Sequence, residues 1–298
     1  MKKSQLAGAA LLSLLVVLVS ALAGCDKDSK EQVVVRTGPP EVSAPAAAAG
    51  SHLDKIKTAG VLRIGVKGDS PPFCFQDQES RPQGFDIDLG GRLARSLGVQ
   101  PLFITVTAQE RIEKLRKGEV DVVIATLTAT RRRAQEIDFS MPYFQDQQGL
   151  LVKTASSIKS YRDLANHKVA ALPGSTSIDN IKVVAPDCTV VEAKSLADAF
   201  AKLQSGEADA MTGDGLALRA LQLNSPEAAQ FQIAGEGFSV EPYVIGLPRD
   251  DSQFRTRVDD FLTELWNNGT WTRLFDKWLG SQSRYNLEAH FQMPVLPP

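Results

Sequence analysis

The sequence predicts an α/β protein built as two similar lobes that face each other across a cleft. Three observations carry this. From Val61 onward, short apolar runs alternate with segments of helical periodicity, the pattern of mostly parallel sheets flanked by helices. KLRKGEVD, Lys114 to Asp121, has a counterpart in KLQSGEAD, Lys202 to Asp209; each reads as a helix end, a glycine stop and the start of a strand. Upstream of each, VLRIGV-KGDSPPF and HKVAAL-PGSTSID both place a strand before a glycine-containing loop. One such match is ordinary helix-stop grammar, but two in the same order indicate one plan used twice. Ligands of open α/β sheets bind outside the carboxyl ends of the strands. The cleft walls are therefore expected in the loops starting at Lys67, Thr126, Pro173 and Thr212.

The chain opens with Met1-Lys2-Lys3 and an apolar run, LLSLLVVLVSALAG, that ends at Cys25. A basic start and an apolar stretch are the parts of an export signal. The run nearly reaches the length of a membrane span, yet small residues directly before a lone cysteine favour processing. Leu22-Ala23-Gly24-Cys25 resembles the bacterial lipoprotein signal, in which the cysteine, here Cys25, becomes the lipidated first residue. Residues 1–24 are read as the signal peptide. Residues 25–50, polar and then rich in Pro and Ala, are read as a flexible lipid-anchored linker.

Order is expected from Ser51, which can cap the helix SHLDKIKTA that Gly60 ends. VLRIGV (Val61 to Val66) reads as a strand. Asp86 opens the helix DIDLGGRLARSL, stopped by Gly98. PLFITVT is a strand, ERIEKLRK a helix, and the β-branched run DVVIATL (Asp121 to Leu127) a buried strand. Thr130 looks like the N-cap of a short helix from Arg131 towards Glu136. GLLVK, KVAAL, TVVEA and DAMTG follow as strands with helices between, then the helix GLALRALQ. The tail after Gly280 carries no assignment.

The 298 residues allow two compact units, and a formal net charge of −2 gives no reason to expect nucleic acid or an acidic membrane surface as a partner. Cys74 and Cys188 fall in different lobes, so they are read as free thiols; their spacing suits no metal. The triplet Arg131-Arg132-Arg133 puts three cations at a helix start, where the macrodipole disfavours them. Either they point into solvent or some of them await an anion.

GVKGDSPPF, GFDIDL, GEVDVVIATLTATRRRAQEIDFSMPY and GSTS, in that order, resemble the polar-amino-acid class of solute-binding proteins of ABC transporters, from about Leu62 to Trp278. TAQERIEKL together with Lys67 is similar to the glutamate/aspartate binders of that class. The resemblance implies the two-lobed type II periplasmic-binding-protein fold, with two crossing strands near Tyr143 to Gln147 and Glu241 to Tyr243. Lobe 1 is then residues 51–146 with 240–298, and lobe 2 is residues 147–239. It also implies a monomeric, exported receptor, anchored in the cell envelope, that delivers glutamate or aspartate to a permease without chemistry or cofactor.

Site residues follow from the same resemblance. Arg133, the last of the triplet, matches the arginine that grips the ligand α-carboxylate, a task that suits a planar guanidinium. Thr126, Thr128 and the nearby backbone N–H groups add donors. Arg132 is expected to pair with Glu136 at i,i+4, and Arg131 to stay solvated. Ser175 and Thr176 belong to a loop that reaches the carboxylate from the other lobe. Asp214 matches the acid that receives the α-ammonium, although it stands where an N-cap would also stand. Lys67 and Arg111 are expected to select an acidic side chain. Ser70 and Ala108 are small where many members carry aromatics, so the pocket length is open. The competing readings are an enzyme of the cyclohexadienyl/arogenate dehydratase type, which needs a general acid or base in the cleft, and a ligand-binding subunit of a sensory receptor.

Overall fold

The computed structural model describes residues 51–77 and 79–295. The expectations for residues 1–24 and 25–50, Cys25 included, lie outside the described residues. Among the described residues, no helix is long and apolar enough to cross a membrane.

The order is α1 (His52–Ala59), β1 (Val61–Val66), β2 (Asp69–Ser70), β3 (Cys74–Gln76), β4 (Pro82–Gln83), α2 (Phe85–Ser96), β5 (Gln100–Thr105), α3 (Arg111–Arg116), β6 (Val122–Val123) and β7 (Asp138–Asp146). Then come β8 (Gln148–Lys153), β9 (Lys168–Ala171), α4 (Thr176–Val184), β10 (Thr189–Glu192), α5 (Leu196–Ser205), β11 (Ala210–Asp214), α6 (Gly215–Asn224) and β12 (Phe231–Ile233). The chain ends with β13 (Glu241–Leu247), α7 (Ser252–Asn267), α8 (Thr270–Trp278) and an irregular tail.

Two five-stranded sheets form, in the orders β5-β1-β6-β13-β7 and β10-β9-β11-β8-β12. Each begins with a parallel trio wound through two helices, β1-α2-β5-α3-β6 in one lobe and β9-α4-β10-α5-β11 in the other. The paired motifs mark the same place in both: α3 stops at Gly118 before β6, and α5 stops at Gly206 before β11. Both glycines have positive φ, +68° and +83°, with open space where a Cβ would stand. They are needed for left-handed helix stops, not for packing.

The sheets are mixed rather than mostly parallel. β13 and β7 complete the first sheet, and β8 and β12 the second, all by antiparallel pairing. A parallel neighbour needs a crossover of about a dozen residues or more, usually a helix. β7 instead runs into β8 after one residue, so the strands that join the lobes enter each sheet without a crossover. The expected strand Asp121 to Leu127 is also cut to Val122–Val123. The following residues stay buried, but Thr126 turns to φ +44°, and its N–H donates to Asp86 Oδ2 at 3.2 Å. That tertiary bond ends the strand and aims the next residues at the cleft.

Local caps agree with the sequence. Ser51 Oγ accepts from Asp54 N–H, and Gly60 closes α1 with a left-handed turn. The first lobe's core gathers Phe73, Phe85, Tyr143, Tyr243 and Trp271, all at most 1 % exposed. The unassigned tail packs onto it: Phe291 stacks on Phe144 with ring centroids 6.2 Å apart, and Met293 is buried. From the same tail, Arg284 Nη2 donates to Leu223 O at the end of α6, at 2.7 Å. Cys74 and Cys188 are free thiols, and burial pushes the Cys74 thiol up.

Candidate functional site

A narrow cavity of about 30 Å³ lies between the carboxyl ends of the two parallel trios. Lys67, Thr126, Ser175 and Asp214 all line it, together with Ser70 and Tyr243. A wider chamber, open to solvent, continues outward past Lys67 and Asp69 between the loops holding Ala108 and Lys194.

Asp214 ends β11. Its Oδ1 accepts from Gln148 Nε2 at 2.5 Å and its Oδ2 from Tyr243 Oη at 2.7 Å. It stands at the N-cap position of α6 but makes no capping bond. Asp146 Oδ2 accepts the Leu216 N–H instead, at 3.2 Å, leaving Asp214 free to face the cavity. Enclosure away from water raises the pKa of Asp214, against the opposing pull of Tyr243 and Lys67. Asp86 is pushed up to about 6 by burial; it holds Thr126 in place and accepts from Tyr143 Oη at 2.8 Å.

Arg133, Thr128 and Thr176 form a second group. Arg133 is 2 % exposed; its Nη1 donates to Thr128 O at 2.7 Å and its Nη2 crosses to Gly174 O of the other lobe at 2.9 Å. Burial first, then the neighbouring charges of Arg111 and Arg132, lower its pKa to about 9, so it stays cationic at neutral pH. The Thr128 and Thr176 hydroxyls both donate to Glu241 Oε2 at 2.7 Å. Glu241 Oε1 accepts from Asn180 Nδ2 at 2.7 Å and Ser239 Oγ at 2.6 Å. A buried carboxylate with four donors from both lobes is fully satisfied and ties the lobes together.

Arg111 is buried under Thr126. Its Nη1 donates to Ala125 O at 2.6 Å, and its Nε has no partner. Among the described residues, no carboxylate lies within ion-pair distance of it. Burial lowers its pKa, partly offset by the charge of Asp214. Lys67 differs: its Nζ is 3.6 Å from Asp69 Oδ1.

Several expectations are corrected or extended. Arg132 pairs with Asp179 of α4 at 3.2 Å, while Glu136 pairs with Arg116 at 3.1 Å. The helix after Thr130 is one 3-10 turn, Arg133–Gln135, too short to stack i and i+4. Arg131 is exposed. Ser175 caps α4 through Ser177 N–H and also donates to Leu172 O at 2.6 Å. Phe73 belongs to both core and cavity wall. Glu241, Asp146, Gln148 and Tyr243 were not singled out by the sequence. The available signal was an acid at the cleft end of each crossing strand. None of the three histidines reaches the cleft: His52 pairs with Asp251, His167 with Asp209, and His290 lies in the tail beside Glu288.

At Gly174 the backbones of the two lobes pack closely. Its φ is +76°, and a Cβ would stand 2.6 Å from Gln109 Cα and 2.9 Å from Ala108 O, backbone atoms that cannot swing away. Gly174→Ala is expected to hold the lobes apart. With ~1–3 kcal/mol of strain placed on the closed form, ligand affinity should drop about tenfold. Scattering at saturation is then expected to show a larger radius than wild type; an equal radius and affinity would mean that the contact is not part of closure.

The family described as bacterial extracellular solute-binding proteins, family 3, matches residues 62–281. A glutamine-binding protein of Geobacillus stearothermophilus is 37% identical over 249 residues, covering 82% of this chain and 93% of the relative. A glutamate/aspartate import solute-binding protein of Escherichia coli (strain K12) is 28% identical over 260 residues, covering 83% and 86%. An ancestral arginine-binding protein bound to arginine superposes with a TM-score of 0.71 at 38% identity, covering 74% of this chain and 99% of that one.

Proposed function

Because the chain belongs to the bacterial extracellular solute-binding proteins of family 3, we propose that it captures glutamate or aspartate between its lobes and hands it to a permease. It is an amino-acid-binding component of the ABC-transporter type. The preference for an acidic side chain is our reading, and one observation carries it. Arg111 is a buried guanidinium beneath Thr126, which lines the cavity, with an unpartnered Nε and no acid within ion-pair distance among the described residues. A buried charge without a partner is costly, and a ligand carboxylate would complete it. Lys67 already shares its charge with Asp69, so Arg111 decides between acid and amide.

In this reading Asp214 takes the ligand ammonium. Arg133 takes the α-carboxylate end, joined by Thr128 and Thr176 once their hydroxyls turn from Glu241 to the ligand, and Thr126 and Ser175 supply donors from facing walls. Lobe 1 comprises residues 51–146 with 240–298 and lobe 2 residues 147–239. A glutamine-binding reading is favoured by the name of the 37% identical relative, but an amide gives Arg111 no ion-pair partner beyond the more distant charge of Asp214.

A thermal-shift screen of the soluble domain against all amino acids tests the proposal. A ligand at 100 times its Kd adds about 2.7 kcal/mol to stability. Glutamate or aspartate should give the largest shift, and the amino acid should be recovered unchanged. The largest shift from glutamine or from a basic amino acid would overturn the acidic reading.

The anchor is proposed separately. Cys25 carries the lipid, and the body acts as a monomer at the outer side of the membrane. Acyl chains contribute about 0.8 kcal/mol per buried CH₂, so Cys25→Ser should release the protein from membranes or leave it unprocessed. A wild-type chain that keeps its Met1 terminus would contradict this.

A further inference from the structure

Two carboxylates stand on either side of a single phenol at the inner end of the cavity. Tyr243 Oη is 2.7 Å from Asp214 Oδ2 and 3.1 Å from Asp146 Oδ2. A phenol has one hydrogen and donates once. The second oxygen–oxygen contact is a hydrogen bond only if that carboxyl carries a proton and donates to the phenol. The remaining donors are committed: Asp146 accepts the N–H groups of Gln147 at 2.8 Å and Leu216 at 3.2 Å, and Asp214 accepts Gln148 Nε2 at 2.5 Å.

We propose that Asp146 is a positioning residue that shares one proton with Asp214 across Tyr243, and that docking of a ligand ammonium on Asp214 expels it. This rests on the amino-acid-binding reading above. Asp214 and Asp146 repel each other, and Glu241, register partner of Asp146 on β13, adds a third negative charge. Lys67, from the loop after β1, Arg111, from α3, and Arg133, from the turn after Thr130, are cations acting on Asp214. They favour the ionised form there, so the proton resides on Asp146. Enclosure away from water raises both acids. When the ammonium arrives, its N–H groups donate to Asp214, the O–H bond of Asp146 breaks, and the proton passes to solvent. Binding therefore strengthens with rising pH until the ligand-free pair is already ionised, by up to roughly tenfold per pH unit below that point.

Two measurements test this. In ligand-free protein labelled at the aspartate carboxyl carbons, NMR titration should show, besides the raised Asp86, one further carboxyl ionising well above the usual aspartate range. That titration should be absent in Asp146→Asn. Calorimetry with glutamate at about pH 6, in two buffers of unlike ionisation enthalpy, should report release of about one proton per ligand for wild type. Asp146→Asn should release close to none. Ordinary titration of both acids, or equal proton release from the two proteins, overturns the proposal. If the variant does not fold, the wild-type titration and buffer pair decide alone. If no amino acid binds, the ligand reading fails, while the NMR titration still decides whether the proton is shared.

Discussion

Arg133→Ala is expected to weaken capture of the amino acid by at least roughly tenfold to a hundredfold, while Arg131→Ala leaves it unchanged. The two arginines are two residues apart in sequence and opposite in environment. Arg131 is exposed. Arg133 is buried, faces the charge of Glu241, and spans from Thr128 O to Gly174 O across the lobes. Its loss removes the cation proposed for the ligand carboxylate and one of the ties that hold the closed form. Charge-assisted hydrogen bonds contribute about 1.5–3 kcal/mol each, more when a buried partner is left alone. Calorimetry on both variants checks the pair, and equal losses would show that the triplet has been assigned to the wrong member.

Arg111→Met is expected to split stability from affinity. The guanidinium is buried, its Nε has no partner, and among the described residues no acid lies within ion-pair distance. Replacing it with an apolar chain of similar length removes an uncompensated charge, so the ligand-free protein should melt no lower than wild type. Affinity for glutamate and aspartate should fall, and the gap between acid and amide should narrow by about 1–3 kcal/mol, the scale of a hydrogen bond to a charged group. Lys67→Met should move the same gap less, because Asp69 already offsets that charge at 3.6 Å. An Arg111→Met protein that melts much lower and keeps its acid preference would make Arg111 a structural residue only.

The alternation of elements was legible because it rests on local grammar. Gly60, Gly118 and Gly206 stop their helices with positive φ wherever the lobes come to lie. The repeated plan was legible for the same reason, since the two glycine-stopped motifs fall before β6 and β11. What depends on distant partners was not. Asp121 to Leu127 has the composition of a long strand, and only the Asp86 bond to Thr126 N–H shows where it must bend. Arg132 has a suitable acid four residues away, yet a single 3-10 turn does not bring them together, and Asp179 from the other lobe does. Glu241 and Asp146 looked like strand termini. Their meaning depends on the register that sets them opposite each other, with Thr128, Thr176 and Tyr243 converging from elsewhere. Lys67, Thr126, Ser175 and Asp214 line one cavity, and Arg133 with Thr128 and Thr176 gathers around an internal carboxylate that no local pattern marks.

Competition calorimetry of the wild-type protein at neutral pH with glutamate, aspartate, glutamine and asparagine measures the acidic preference itself. A site built around a charged partner rejects analogues that cannot pair with it far more strongly than an apolar pocket rejects a missing methylene. Glutamate or aspartate is expected to bind at least about tenfold more tightly than its own amide. Glutamine binding as tightly as glutamate, or more tightly, would contradict it.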